Sequence, residues 1–176
     1  MTEPERHSWA ELVERVRDEW GELLVPVAAE HVDPRVEPRT RDFLTTVGLP
    51  DAQIRDITPI RDGRLRELFE RDGRSYVVVA AQRRYRYGID TETGWVRYLH
   101  DEPDFEVPAN SSIAGFVLAV GLLKHQLDDL ELGTRESVGE AVDTIWDQLE
   151  EWDPDGLEDA ESRWNVLLNE YAVEYD

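Results

Sequence analysis

Four histidines, His7, His31, His100 and His125, are the only imidazoles in the chain, and there is no cysteine. Nucleophilic catalysis needs a Ser, Thr or Cys held beside a base. His7 stands just before a helical stretch, and His125 lies on another beside Lys124. No Gly-x-Ser-x-Gly elbow frames a serine. Neither Gly-x-Gly-x-x-Gly nor the lysine-containing phosphate loop occurs, so nucleotide chemistry has no cradle. His100, Asp101, Glu102 and Asp104 offer the densest set of potential metal ligands, following a strand-like stretch. Defined sites need fixed ligand spacing, as in His-Glu-x-x-His or the EF-hand loop, and neither pattern is present. With 34% of residues charged, such clusters arise by chance. Adjacent carboxylates (Asp128 with Asp129, Glu150 with Glu151) fall on charged helix faces. Acid–base work needs carboxyl groups whose environments push their pKa values apart. The expectation is a protein without catalytic residues, cofactor or metal, acting by binding another protein.

Charge is the strongest compositional signal, at −21 overall. Through residue 100, 19 acids face 16 arginines; beyond it, 21 acids face only Lys124, Arg135 and Arg163. The C-terminal part is thus a negative field that repels nucleic acid and anionic membrane and attracts basic partners. It also reads as a solvated face, or as salt adaptation. Arg83, Arg84 and Arg86 lie among tyrosines, a composition that can stack single-stranded bases. In a strand, however, Tyr85 and Tyr87 face away from Arg84 and Arg86. No nucleic acid and no membrane are expected as partners. The longest apolar run, Ile113 to Leu123, is shorter than the about 20 residues of a bilayer span. Without a signal-peptide pattern at the start, the expected location is the cytoplasm. Oligomeric state stays open.

The elements that must position any binding surface follow from periodicity. Ser8 and Glu11 have capping-box spacing, and residues 9–22 read as an amphipathic helix. Pro26, Pro34 and Pro38 mark a loop. Thr40 to Val47 reads as a short helix closed by Gly48-Leu49-Pro50. Leu65 to Arg71, Ser75 to Gln82, Arg84 to Asp90 and Trp95 to His100 are strand-like, with Asp72-Gly73 a tight hairpin turn between the first two. Tyr76 to Ala81 is apolar at every position, as in a strand covered on both faces. Phe105 to Val107 adds an edge strand. Asn110-Ser111-Ser112 caps a helix from Ile113 to about Leu130. Two more helices follow, one marked by Val138, Ala141, Val142, Ile145, Leu149 and Trp152, the other by Ala160, Trp164, Leu167, Leu168 and Tyr171. Five of the six tryptophans fall in helices, most on apolar stripes. Trp146 lies toward a flank. The order predicts an α+β fold: an antiparallel twisted sheet of about 4–6 strands between N-terminal and C-terminal helices. One domain is expected over 1–176: an N-terminal helix and loop (1–38), a core helix, sheet and long helix (39–130), and acidic helices (131–176).

Several strings then resemble a family in order and spacing. Thr40-Arg41-Asp42-Phe43-Leu44-Thr45-Thr46-Val47-Gly48-Leu49-Pro50 is similar to an early "T-R-x-F-L-x-x-V-G-L-P" segment of the SUKH superfamily, in its immunity-protein branch. Gly73 to Ala80 resembles the strand that follows. Ile89-Asp90-Thr91-Glu92-Thr93-Gly94-Trp95-Val96 resembles its "L-D-x-x-T-G-x-V" hairpin. Asn110-Ser111-Ser112-Ile113-Ala114-Gly115-Phe116 resembles the start of its long helix, and Asp159 to Trp164 its closing helix. The basic stretch Gln82 to Tyr87 departs from the family's Gly-rich or polar loop. The resemblance implies a SUKH-like α+β fold and a protein that binds and neutralises a cognate toxin of the fourth SUKH immunity type. It brings no catalytic residues. Phe43 and Phe116 are implied as core, Gly48 and Gly94 as turns, Asn110 and Ser111 as caps.

If the partner is a basic toxin domain, the acidic residues expected to meet it are Asp101, Glu102, Asp104 and Glu106 near the sheet, and Asp143, Asp147, Glu150 and Glu151 on a helix. A regulatory scaffold of the same fold, bound to a housekeeping protein, is the alternative.

Overall fold

In a computed structural model, which describes residues 6–102, 105–130 and 134–174, Ser8 opens the first helix, α1 (Trp9–Trp20), as its spacing predicts. The Ser8 hydroxyl accepts the Glu11 N–H at 3.3 Å while the Glu11 carboxylate accepts the Ser8 N–H at 2.7 Å. The proline-rich stretch is more ordered than a plain loop. Pro38 takes the first position of α2 (Pro38–Thr46), where a missing N–H costs nothing. Strand β1 (Leu24–Val25) pairs antiparallel with β2 (Leu49–Pro50), a ladder too short to leave a periodic signal.

Among the described residues the main sheet has six strands: β3 (Thr58–Pro59), β4 (Leu68–Arg71), β5 (Arg74–Gln82), β6 (Tyr85–Asp90), β7 (Val96–His100) and β8 (Glu106–Asn110). All its pairings are antiparallel; β3 and β4 share one edge of β5, and β8 closes the far edge. The Asp72-Gly73 turn forms with φ of 50° and 78°, the conformation that a two-residue hairpin requires. The strand expected from Leu65 begins at Leu68, because Gly63–Arg66 is a 3₁₀ turn capped by the Asp62 carboxylate. Arg84, expected at the start of a strand, sits in the turn before Tyr85.

One face of the sheet packs on helices α3 (Ile113–Leu123) and α6 (Arg163–Glu174): the Tyr87 ring lies 4.9 Å from Phe116 and 6.1 Å from Trp164. The register of β5 on β6 shifts between Val78 and Ala80, and such a bulge bends a strand. The β4–β5 hairpin curls over the opposite face, where Tyr76 is fully buried and its hydroxyl donates to Glu106 at 2.9 Å. Arg86, expected on an open basic face, instead lies with its guanidinium 4.3 Å from the centre of the Phe69 ring.

Every residue of α3 is buried. It runs along α1, where the Trp20 indole N–H donates to the Val117 carbonyl at 2.8 Å. Expected to continue to Leu130, it widens to a π-turn at Lys124–Asp128. There His125 contacts the Glu19 carboxylate at 2.7 Å and Asp128 accepts the Arg55 N–H at 2.9 Å. Helix α4 (Arg135–Trp152), a single turn α5 (Pro154–Leu157) and α6 complete the chain. One apolar cluster extends from Leu12 in α1 to Leu168 in α6. Among the described residues no helix is long and apolar enough to cross a membrane.

Candidate functional site

The expected acidic residues occupy two places. Asp101 and Glu102 are exposed on the loop after β7, and Glu106 is half-buried at the start of β8. Asp104 lies outside the described residues. Asp143, Asp147, Glu150 and Glu151 are exposed on α4.

The loop group is held by arginines. Asp101 pairs with Arg86. Glu106 accepts from Arg97 at 2.9 Å as well as from Tyr76, so its charge serves the sheet. Burial, and after it this carboxylate, pushes the Tyr76 hydroxyl up to about 12. His100 is buried against Tyr85 and Phe105, and its Nδ1 accepts the Glu102 N–H at 2.9 Å. Among the described residues no three acids and histidines gather to hold a metal. Arg71, buried and unnoticed in the sequence, donates to the carbonyls of His100 and, at 3.0 Å, Phe105. Its planar fork thereby pins both ends of the loop that carries Asp101 and Glu102.

The helical group has a different character. Helix α4 buries Val138, Ala141, Val142, Ile145 and Leu149. Its other faces carry Glu136, Glu140, Asp143, Asp147, Glu150 and Glu151, all exposed, against the single base Arg135. His7 reaches Glu151 at 3.2 Å and stacks on Trp152 with ring centres 3.8 Å apart. Trp146, on the other flank, is half-buried. Helices α3 and α6 pack against α4.

Asp153, at the end of α4, joins this region to the sheet. It is buried and accepts from the Asn110 side chain at 2.8 Å, the Ser111 N–H at 3.2 Å and the Ser111 hydroxyl. Burial, only partly offset by the hydrogen bonds from Ser111 and Asn110, pushes its carboxyl up to about 6. Asn110 in turn accepts the Trp164 indole N–H at 2.8 Å. Of the three residues expected to cap α3, only Ser112 does, accepting the Gly115 N–H at 3.1 Å. Asn110 and Ser111 turn to Asp153 because a buried carboxyl group needs hydrogen-bond donors, while the Ser112 hydroxyl caps the helix. Phe43 and Phe116 are buried, and Gly48 and Gly94 adopt the positive φ of turn residues. The strings that resembled one family therefore meet in space: Asn110, Ser111 and Trp164 converge on one network.

Residues 12–170 match the model of the SUKH-4 immunity protein family. The chain belongs to that family. No curated protein and no solved structure matches it. SUKH-4 membership covers the sheet, its flanking helices and α4 together, so both acidic places lie within the family's own domain. It makes toxin immunity the function to be explained. The Asp153 network, which ties two family-like strings together, joins the end of α4 to the sheet in this SUKH-4 chain.

Proposed function

We propose that this chain is an immunity protein that binds a cognate toxin and neutralises it without catalysis, by covering the toxin's active site. The observation that carries the reading is the six-carboxylate surface of α4 in a chain of the SUKH-4 family. An enzyme that acts on nucleic acid must present a basic groove to the phosphate backbone. An acidic protein surface fills such a groove in place of substrate. Electrostatic attraction would speed the encounter, and contacts at the centre would slow release. Asp101 and Glu102 extend the negative field from the sheet end.

The test pairs recovery with rescue. The tagged chain is used to capture partners from its native lysate, and each partner is expressed alone in a sensitive host. The expected result is one basic domain that arrests growth, with growth restored when this chain is co-expressed. A non-toxic housekeeping partner would replace immunity with the regulatory-scaffold reading.

A further inference from the structure

The side of α4 that carries Trp146 faces α6, and the two helices do not close against each other at the surface. Asn165, Asn169 and Leu157 line the opening between them together with Trp146 and Glu150. On α6 the groove continues as an exposed stripe, Val166, Asn169, Glu170 and Val173, at the i, i+3, i+4, i+7 spacing of one helix face. Val166 is 39% and Val173 74% exposed, two of the few large apolar side chains left in solvent among the described residues. The buried side of α6 is made by Trp164 and Leu168, so the core does not need these valines. Asn165 donates to the carbonyls of Leu157 and Asp159, both at 2.8 Å, which fixes the floor.

Acids rim the groove and its apolar stripe. Glu150 and Asp143 stand on the α4 side, Glu158 beyond α5, and Glu170 within the α6 stripe. Two bases line the groove, Arg6, which is paired with Asp155 at 3.1 Å, and Arg135 at the end near Asp143. An aromatic and aliphatic centre inside a charged rim has the anatomy of a protein interface, with the half-buried tryptophan as its natural anchor. A second copy of this chain is a poor occupant. It would bring two rims of like charge together on molecules each carrying −21.

We propose that the α4–α6 groove is the seat of the toxin, and that it receives a segment presenting an apolar side chain between lysines or arginines. This rests on the immunity reading above and assigns it a face: the helical group of acids, centred on Trp146, and not the loop group at Asp101 and Glu102.

The experiment measures binding of the growth-arresting domain recovered by the capture above to the full chain and to three variants. Val166→Ser with Val173→Ser removes the exposed apolar stripe, and because these side chains lie outside the core the fold should survive, as a melting curve will verify. Its affinity is expected to fall at least tenfold through faster dissociation, with the salt dependence of association unchanged. Glu150→Lys with Glu170→Lys should slow association about tenfold and flatten its salt dependence. Asp101→Lys with Glu102→Lys should stay within about twofold of the parent. Parent-like binding by both groove variants, with binding lost in the loop variant, would overturn the assignment while leaving immunity intact. Absence of binding or rescue by the parent chain itself would overturn both.

Discussion

Asn110 donates its side-chain N–H to the Asp153 carboxylate at 2.8 Å, linking residues 43 apart in the chain and joining the last strand of the sheet to the end of α4. The carboxylate also approaches Gly115 and Gly156 so closely that a β-carbon on either would collide with it. The helix bearing six exposed acids is therefore tied to the sheet through a single buried acid.

That acid should make stability depend on pH in a recognisable way. Its folded pKa, about 6, lies above the usual 3.8. Below pH 4 the group is neutral in both states and the fold is at its best for this residue. As pH rises from 4 to 6 the unfolded chain releases the proton first, so stability falls, and it levels off above 6. Asp153→Asn stays neutral, and the Ser111 hydroxyl can reverse to accept from its amide. Urea unfolding at pH 4 and pH 7.5 should show the variant gaining on the parent by roughly 3 kcal/mol between the two. Parallel curves would mean that the carboxyl is ionised in the fold at little cost.

Gly48 and Gly73 both have positive φ, at 93° and 78°, yet they should respond differently to alanine. A β-carbon on Gly48 would overlap the Val25 carbonyl across the short ladder, whereas one on Gly73 meets open space. Gly73→Ala is expected to cost about 1 kcal/mol in backbone strain alone. Gly48→Ala adds a backbone clash and should cost more than about 3 kcal/mol or prevent folding. Thermal melts of the two variants decide this, and equal losses would remove the close approach as the reason for Gly48.

Arg71 should matter to the loop after β7 more than its own position in a hairpin suggests. Replacing it with Met keeps the bulk but leaves the His100 and Phe105 carbonyls without their donor, at a cost of about 2 kcal/mol. Amide hydrogen exchange around Asp101, Glu102 and Phe105 should speed up more than in the rest of the sheet. Lysine cannot span both carbonyls and should give an intermediate loss. An unchanged unfolding midpoint with Met would show that the clamp is dispensable.

What was legible in the sequence was local. The capping box at Ser8, the Asp-Gly turn and the apolar Tyr76–Ala81 strand each carry their signal within a few residues, and each formed as expected. What was not legible depends on distant partners. The register shift after Val78, which bends the strand, is announced by no residue type. Asp153 stands in an Asp-Pro-Asp-Gly string, and nothing nearby reveals its buried donors. Arg71 looked like one more surface arginine among eighteen. The acids of α4 were legible as a charged face, because helical spacing alone puts them there. The bare valines of α6 were hidden among ordinary apolar residues.

The acids of α4 work against the helix that carries them. Asp143 with Asp147, and Asp147 with Glu151, are like charges four residues apart, each such pair destabilising by about 0.2–0.5 kcal/mol. The last turn holds Glu150 and Glu151 and no base, so it also opposes the helix dipole. Folding alone gives no reason to keep these charges, while a basic partner does. Asp147→Lys should therefore stabilise the free protein by about 0.5–1 kcal/mol at low salt, with the gain shrinking as salt screens the repulsion. The same variant should associate more slowly with the toxin domain. Urea titrations at 20 mM and 1 M NaCl, set beside association rates, test both halves. A salt-adapted protein would behave otherwise: the parent itself would need molar salt to reach full stability, and the lysine would leave association untouched.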